Sequence, residues 1–210
     1  MRPFTYEAPS SIQQATSDFG QNSTFLAGGT TLVDLMKLDV MTPAQVVDIN
    51  QLPMRGINLT SDGLRIGALE KMSDVAEHPA VMANYPVISQ ALLKSASAQL
   101  RNMASMGGNL LQRTRCGFFR DVSTPCNKRQ PGSGCPAIDS WNRSYAILGT
   151  SSSCVATHPS DLAVALVALD ASIRLQSGNN ERFVKLDDFY LVPGDTPEKE
   201  NQLKPGELIT

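Results

Sequence analysis

The sequence is short of several things, and each shortage removes a class of function. Lys and Arg number 18 against 20 Asp and Glu, so no cationic excess is available to neutralise a phosphate backbone, which excludes a strongly basic nucleic-acid binder. No apolar run nears the roughly 18 residues needed to cross a bilayer. Histidine occurs only at His78 and His158, and no Ser-His-Asp or Cys-His nucleophile set assembles around either. There is no Cys-x-x-Cys pair, no P-loop and no G-x-G-x-x-G dinucleotide fingerprint. The segment Met1 to Glu7 holds neither a hydrophobic stretch nor a twin arginine, so no export signal is expected in this chain. Internal repeats and low-complexity tracts are missing too. What is present is 210 residues, 41% of them hydrophobic, enough to bury a sizeable core as one large domain or two small ones.

The first fifty residues read as a small α/β unit. Ser10 or Ser11 is placed to cap a helix through Ile12, Ala15 and Phe19, which Gly20 stops. Thr24 to Ala27 reads as a short buried strand. Leu32 to Leu38 carries apolar residues at helical spacing, and Gln45 to Ile49 reads as a strand between prolines 43 and 53. Ile57–Leu59 and Leu64–Ala68 alternate around Ser61-Asp62-Gly63, a hairpin signal. Short and long helices are expected over Met72–Ala76 and Pro86–Gln99, the latter with Val87, Ala91 and Leu92 on its apolar face. An irregular stretch, Arg113 to Cys135, precedes a helix from Ser160 to Leu169 and a strand from Ser172 to Leu175. The tail beyond Val192 is rich in Pro, Gly and charge, and Leu208-Ile209-Thr210 reads as the start of a strand in a chain that continues. Met103 and Met106 are expected to fill the core, Trp141 and Tyr145 to pack under the cysteine loop, and Phe189 and Tyr190 to anchor the domain.

Three polar features stand out. Ala27-Gly28-Gly29-Thr30-Thr31 lies between strand and helix, where glycines admit a ligand close to the backbone, the following amides point at it, and the hydroxyls add donors. Those are the parts of a diphosphate cradle, or simply of a tight turn. A side chain at 28 or 29 is expected to occupy the phosphate space. Ser105-Met106-Gly107-Gly108-Asn109-Leu110-Leu111 reads as a second such turn, whose Asn109 side chain both donates and accepts. Ser160-Asp161 opens a helix: one of the two caps it, which leaves the other free for a ligand hydroxyl.

Between Cys116, Cys126, Cys135 and Cys154 lie nine, eight and eighteen residues, a weak spacing for metal. Two disulfides, a zinc site and a [4Fe–4S] cluster all stay open. Arg113, Arg115, Arg120, Lys128 and Arg129 crowd the same segment, which suits a net-anionic cluster or a solvated docking loop.

Taken in order, Leu26-Ala27-Gly28-Gly29-Thr30-Thr31-Leu32, Arg101 to Leu110 and His158-Pro159-Ser160-Asp161-Leu162 resemble the FAD-binding subunit of the molybdenum hydroxylases along essentially the whole chain. With Gln112 to Cys116 and Pro131 to Cys135, the sequence is similar to the bacterial three-subunit aldehyde oxidoreductase type, whose flavin subunit carries an extra iron–sulfur cluster. The resemblance implies an α+β (α/β), two-lobed FAD-binding domain of the molybdopterin dehydrogenase type, not a Rossmann fold. It implies lobes at 1–52 and 53–192, a cysteine-rich loop at 113–154, and a linker at 193–210 into a further domain. FAD would take its diphosphate over Gly28 to Thr31. Leu26, Ala27, Leu32, Ser105, Gly108, Asn109, Leu111 and Ser160 would sit at the cofactor, with Asp161 at the ribityl or diphosphate region and Ile209 beside the ring. Cys116, Cys126, Cys135 and Cys154 become ligands of one [4Fe–4S] cluster.

The implied activity is electron transfer. A molybdenum-cofactor large subunit would oxidise an aldehyde, a [2Fe–2S] small subunit would relay electrons, and FAD here would pass them to an external acceptor. The location would be periplasmic if the complex is exported on a partner's twin-arginine signal, and cytoplasmic otherwise. The alternatives are a disulfide-tied scaffold without flavin, a covalent-flavin oxidase of the same broad fold, and a xanthine or CO dehydrogenase-type flavin subunit with a different substrate.

Overall fold

A computed structural model describes residues 1–17 and 19–210. The chain opens with β1 (Thr5–Glu7), α1 (Ile12–Ser17), β2 (Ser23–Leu26), α2 (Leu32–Lys37) and β3 (Gln45–Asp48). The three strands form a parallel sheet of order β1-β3-β2, with Thr24 opposite Val46. Crossover helices are what parallel pairing requires, and α1 and α2 supply them. Ser11 is the cap of α1: its Oγ accepts from Gln14 N at 3.1 Å. That helix was expected to run to Phe19, but position 18 lies outside the described residues and Phe19 itself is not helical; its ring packs on Phe25, centroids 4.3 Å apart.

Next come the hairpin β4 (Ile57–Thr60) and β5 (Gly63–Ile66), then α3 (Met72–Ala76), α4 (Pro79–Asn84), α5 (Pro86–Lys94), α6 (Ala98–Met103), α7 (Met106–Leu110) and α8 (Gly117–Arg120). After the cysteine loop follow α9 (Asp161–Ala168), β6 (Ser172–Ser177), β7 (Asn180–Lys185), α10 (Leu186–Phe189) and β8 (Leu208–Ile209). Strands β7-β6-β8 make an antiparallel sheet.

Several expectations are corrected. The long helix over Pro86–Gln99 is two helices: α5 stops at Lys94, Ala96 takes a positive φ of 51°, and Ser97 caps α6 by accepting from Leu100 N at 3.3 Å. Its buried face is Ile88, Ser89 and Leu92, while Val87 is exposed. Gly107-Gly108-Asn109 is not a turn but the body of α7. α4 went unanticipated; His78 caps it by accepting from Ala80 N at 3.3 Å. Met106 is buried as expected, but Met103 and Trp141 are exposed, so neither fills a core.

Among the described residues, three apolar clusters hold the molecule. The largest joins α3, α5, α7, α9, α10 and β6 through Met72, Val75, Leu92, Leu110, Leu162, Leu175 and Phe189. A second, over the parallel sheet, combines Ala15, Val47 and Ile49 with Met54, Leu69 and Leu208 from further along the chain. A small third cluster sets Leu35 of α2 against Phe119 and Cys126 of the cysteine loop.

Candidate functional site

A cleft of about 300 Å³ lies where the ends of β2 and β3 face α7 and the segment 203–209. It gathers Ala27, Gly28, Gly29, Thr30, Thr31, Leu32, Ser105, Gly108, Leu111 and Ile209, residues that the sequence scatters over 180 positions. The turn after β2 is held open by glycine at φ +72° at position 29. Past it, the amide N–H groups of Gly28 through Leu32 have no acceptor among the described residues. The hydroxyls of Thr30 and Thr31 are equally uncommitted; Thr31, although at the N-cap of α2, makes no capping bond. Polar groups in a cleft rarely stay unpaired unless a ligand or water takes them. Amides aimed together at a helix start favour a negative group, so this run suits a diphosphate.

Gly28 plays another part than expected. A Cβ there would meet the Met103 carbonyl oxygen at 2.1 Å and Ala104 Cα at 2.9 Å. The glycine is required because two backbones touch there.

The opposite wall is α7. Ser105 Oγ accepts from Gly108 N at 3.2 Å, and the N–H groups of Met106 and Gly107 go to the Glu70 and Ala68 carbonyls at 2.9 and 2.8 Å. Its amides are therefore spent, and it forms a wall rather than a second cradle. Asn109 lies behind that wall, buried. Its Nδ2 donates to Met72 Sδ at 3.3 Å, and its Oδ1 accepts from Ser160 Oγ at 2.6 Å. Ser160 Oγ also accepts from Ala163 N at 3.0 Å, so Ser160 caps α9 and leaves Asp161 exposed at its first turn. Neither Asn109, Ser160 nor Asp161 lines the cleft, and Leu26 contributes from beneath, its Cδ1 lying under Gly29.

Residues that sequence reasoning missed complete the site. Phe25 and Leu208 add apolar wall, and Lys204, Glu207 and Arg113 add charge. Arg182 holds Glu207 in a fork, Nε to Oε1 at 2.9 Å and Nη2 to Oε2 at 2.8 Å, which keeps that carboxyl below its ordinary pKa. Only Arg113 had a local signal, a cation two residues after the wall residue Leu111.

All four cysteines line one further cavity with Phe118, Phe119, Lys128 and Ala156. None is bridged to another. The space between them is narrow, about 10 Å³, and among the described residues no three His, Cys, Asp or Glu converge as for a single metal ion. Cys116 Sγ lies 3.6 Å from the Tyr145 hydroxyl, whose pKa is pushed up to about 12, chiefly by burial and then by that contact. Burial also raises the Cys154 thiol.

The cations around the loop are mostly committed elsewhere. Arg129 donates to the Phe118 and Phe119 carbonyls at 2.8 and 2.7 Å, Arg120 pairs with Asp34 of α2 at 2.7 Å, and Arg115 donates to Gln112 at 3.3 Å. Lys128 alone of the five lines the cysteine cavity. At the neck of the loop the Leu110 carbonyl faces His158 Nε2 at 3.2 Å and accepts from the Tyr190 hydroxyl at 3.0 Å; burial lowers the His158 pKa and raises that of Tyr190.

Residues 2–210 match the model of the FAD binding domain in molybdopterin dehydrogenase. The chain is 48% identical to the aldehyde oxidoreductase FAD-binding subunit PaoB of Escherichia coli K12, covering 100% of this chain and 67% of that protein. It is 27% identical to the carbon monoxide dehydrogenase medium chain of Hydrogenophaga pseudoflava, over 95% of this chain and 56% of the relative. It is 28% identical to the glyceraldehyde dehydrogenase medium chain of Sulfolobus acidocaldarius, over 99% and 58%. In fold it superposes on reconstituted CO dehydrogenase from Oligotropha carboxidovorans with a TM-score of 0.70 at 23% identity, covering 99% of this chain and 57% of that one. The chain thus spans between about half and two thirds of the relatives it matches.

Proposed function

The chain belongs to the family of FAD-binding domains of molybdopterin dehydrogenases, and from that premise we propose that it is the flavin-bearing, electron-transferring part of a molybdenum-dependent aldehyde oxidoreductase. One observation carries the flavin site: the unpaired N–H groups of Gly28 to Leu32 and the free hydroxyls of Thr30 and Thr31 face a single cleft. They fit a dinucleotide diphosphate in number, charge preference and position. FAD, when bound, supplies two-electron chemistry; this chain supplies binding, orientation and electrostatics. Gly29 opens the turn, Thr30 and Thr31 donate, Leu111 and Ile209 exclude water, and Ser105 holds α7 as the far wall. Asn109, with Ser160, fixes α7 against α9 and acts from behind. Asp161 is proposed for the ribityl hydroxyls, being the carboxylate that Ser160 frees by taking the cap.

Cys116, Cys126, Cys135 and Cys154 are proposed as ligands of one [4Fe–4S] cluster. Four unbridged thiols lining one cavity support this in donor number and kind. The gap between them is narrow, about 10 Å³, so the four thiols would have to move apart to hold a cluster. The partners proposed are a large molybdenum-cofactor subunit, a small [2Fe–2S] subunit in a heterotrimer, and an external electron acceptor. The compartment follows a partner's twin-arginine signal if one is present. Within the chain, 1–52 and 53–192 are proposed as the two lobes and 193–210 as the passage into a further domain.

An absorption spectrum with iron and sulfide analysis of anaerobically purified full-length protein tests both cofactors. Flavin bands with about four irons per chain, the iron lost in Cys135→Ser, are expected. A colourless protein would overturn the flavin reading; flavin with zinc or no metal would overturn only the cluster.

A further inference from the structure

Arg113 is the point where the flavin cleft and the cysteine cavity share a wall. Its side chain lines the cleft, and its guanidinium lies over the ring of Phe119, 4.7 Å from the centroid. Phe119 in turn lines the cysteine cavity. Arg113 Nε pairs with Glu200 Oε2 at 2.5 Å, and the other carboxylate oxygen, Oε1, pairs with Lys128 Nζ at 3.1 Å. Lys128 also lines the cysteine cavity and donates to the Pro197 carbonyl at 2.7 Å. Each partner of this three-membered chain is more than three-quarters shielded from solvent, so its charges are less screened than surface pairs. The Arg113–Glu200 contact is an ion pair through Nε, without hydrogen-bond geometry. The two terminal nitrogens, the ends that fork onto phosphate, have no hydrogen-bond acceptor among the described residues.

We propose that Arg113 is a phosphate-binding residue of the flavin cleft, and that the cysteine loop sets its position through Phe119 and through Lys128 and Glu200. This rests on the flavin reading above. Apart from the exposed Lys204, the cleft otherwise meets a diphosphate with neutral donors, whereas Arg113 is a fixed cation on the same wall system, stacked and ion-paired so that little side-chain freedom is left to lose on binding. The hold on Arg113 comes entirely from residues of the loop and of the 193–201 segment clamped to it. Order in the cysteine site is therefore felt as affinity in the flavin site, without contact between the two ligands.

The test uses full-length protein in its complex, stripped of flavin and titrated with FAD and with riboflavin, which lacks phosphates. Arg113→Met should weaken FAD by tenfold or more and leave riboflavin within about twofold. Glu200→Gln should weaken FAD less, since the guanidinium stays but loses its anchor. Cys135→Ser should weaken FAD in the parent and no further in the Arg113→Met background. Equal losses for FAD and riboflavin, or none, would overturn the assignment of Arg113. Additive losses in the double variant would overturn the coupling. If Arg113→Met does not fold, Arg113→Lys, which keeps charge and stem but not the fork, carries the same comparison. Parent protein that takes up neither ligand would instead sink the flavin reading itself.

Discussion

Replacing Gly28 by alanine should separate two segments that only a glycine lets meet. The new Cβ would sit 2.1 Å from the Met103 carbonyl oxygen, where ordinary contact begins at 3.4 Å, so the seam must open by about 1.3 Å. Both partners are backbone, and Met103 cannot rotate away. Lys71 Nζ also bonds that carbonyl at 2.9 Å, and the Ala104 carbonyl accepts from Met72 N at 3.0 Å, so shifting the strip disturbs both bonds. Overpacking of this kind costs about 1–3 kcal/mol and more when nothing yields, so about 3 kcal/mol or above is expected. Gly29→Ala is the control. Its Cβ would meet only Leu26 Cδ1 at 3.2 Å and Val33 Cγ2 at 3.3 Å, and its φ of +72° adds a left-handed penalty of about 1–2 kcal/mol. Urea unfolding with flavin content measured alongside separates the two. Gly28→Ala should lose stability and flavin together; Gly29→Ala should lose less stability. Parental stability and full flavin in Gly28→Ala would refute the argument that this glycine exists for the seam.

Ser160→Ala removes a cap and orphans Asn109 Oδ1, so it should cost about 2–3 kcal/mol by urea titration, whereas Asp161→Ala, exposed at the first turn of α9, should cost less than about 1 kcal/mol. Stability should fall in two acid stages, followed as the urea midpoint from pH 8 to 3. His158, held below its ordinary 6.5 by burial, contributes fully above that pH and loses its share as pH falls below it. Glu207, held below its ordinary 4.5 by Arg182, contributes fully above 4.5 and loses its share as pH falls through its lower folded value; Glu207→Gln should flatten that stage alone. Arg120→Ala should cost more than a surface ion pair's ~1 kcal/mol, because its partner Asp34 belongs to α2 and the pair ties the cradle's helix to the cysteine loop.

What was legible in the sequence was what local chemistry determines. Two glycines followed by two threonines announced the turn between β2 and α2, and Ser61-Asp62-Gly63 announced the hairpin. Less was legible where an outcome depended on distant backbone. Nothing near Gly28 says that Met103 will lie against it. The break at Ser95-Ala96-Ser97 has no proline or glycine to mark it, although Ala96 takes a positive φ of 51°. Strand β7 hid because Asn180, Glu181 and Arg182 mask the alternation before Phe183 and Val184. The crowd of cations in the cysteine loop was plain to see, but their partners were not: Asp34 and Glu200 lie 86 and 87 residues from the arginines they bind. The wall formed by residues 203–209 likewise depends on β8 returning to β6.

The neck of the cysteine loop has a consequence for how such a chain can change over generations. The segment leaves the body after Leu110 and comes back at His158, whose ring stands 3.2 Å from the Leu110 carbonyl. Closure entropy grows only with the logarithm of loop length, so once the two stems are pinned, lengthening or shortening what lies between is cheap for the body. The forty-odd residues between those stems form a cassette: a cysteine-bearing loop could be acquired, trimmed or exchanged there as a unit while α7 and α9 keep their places. Excising 114–156 and bridging the stems with a few glycines and serines should leave a folded flavin domain, shorn of its cysteines and of the hold on Arg113.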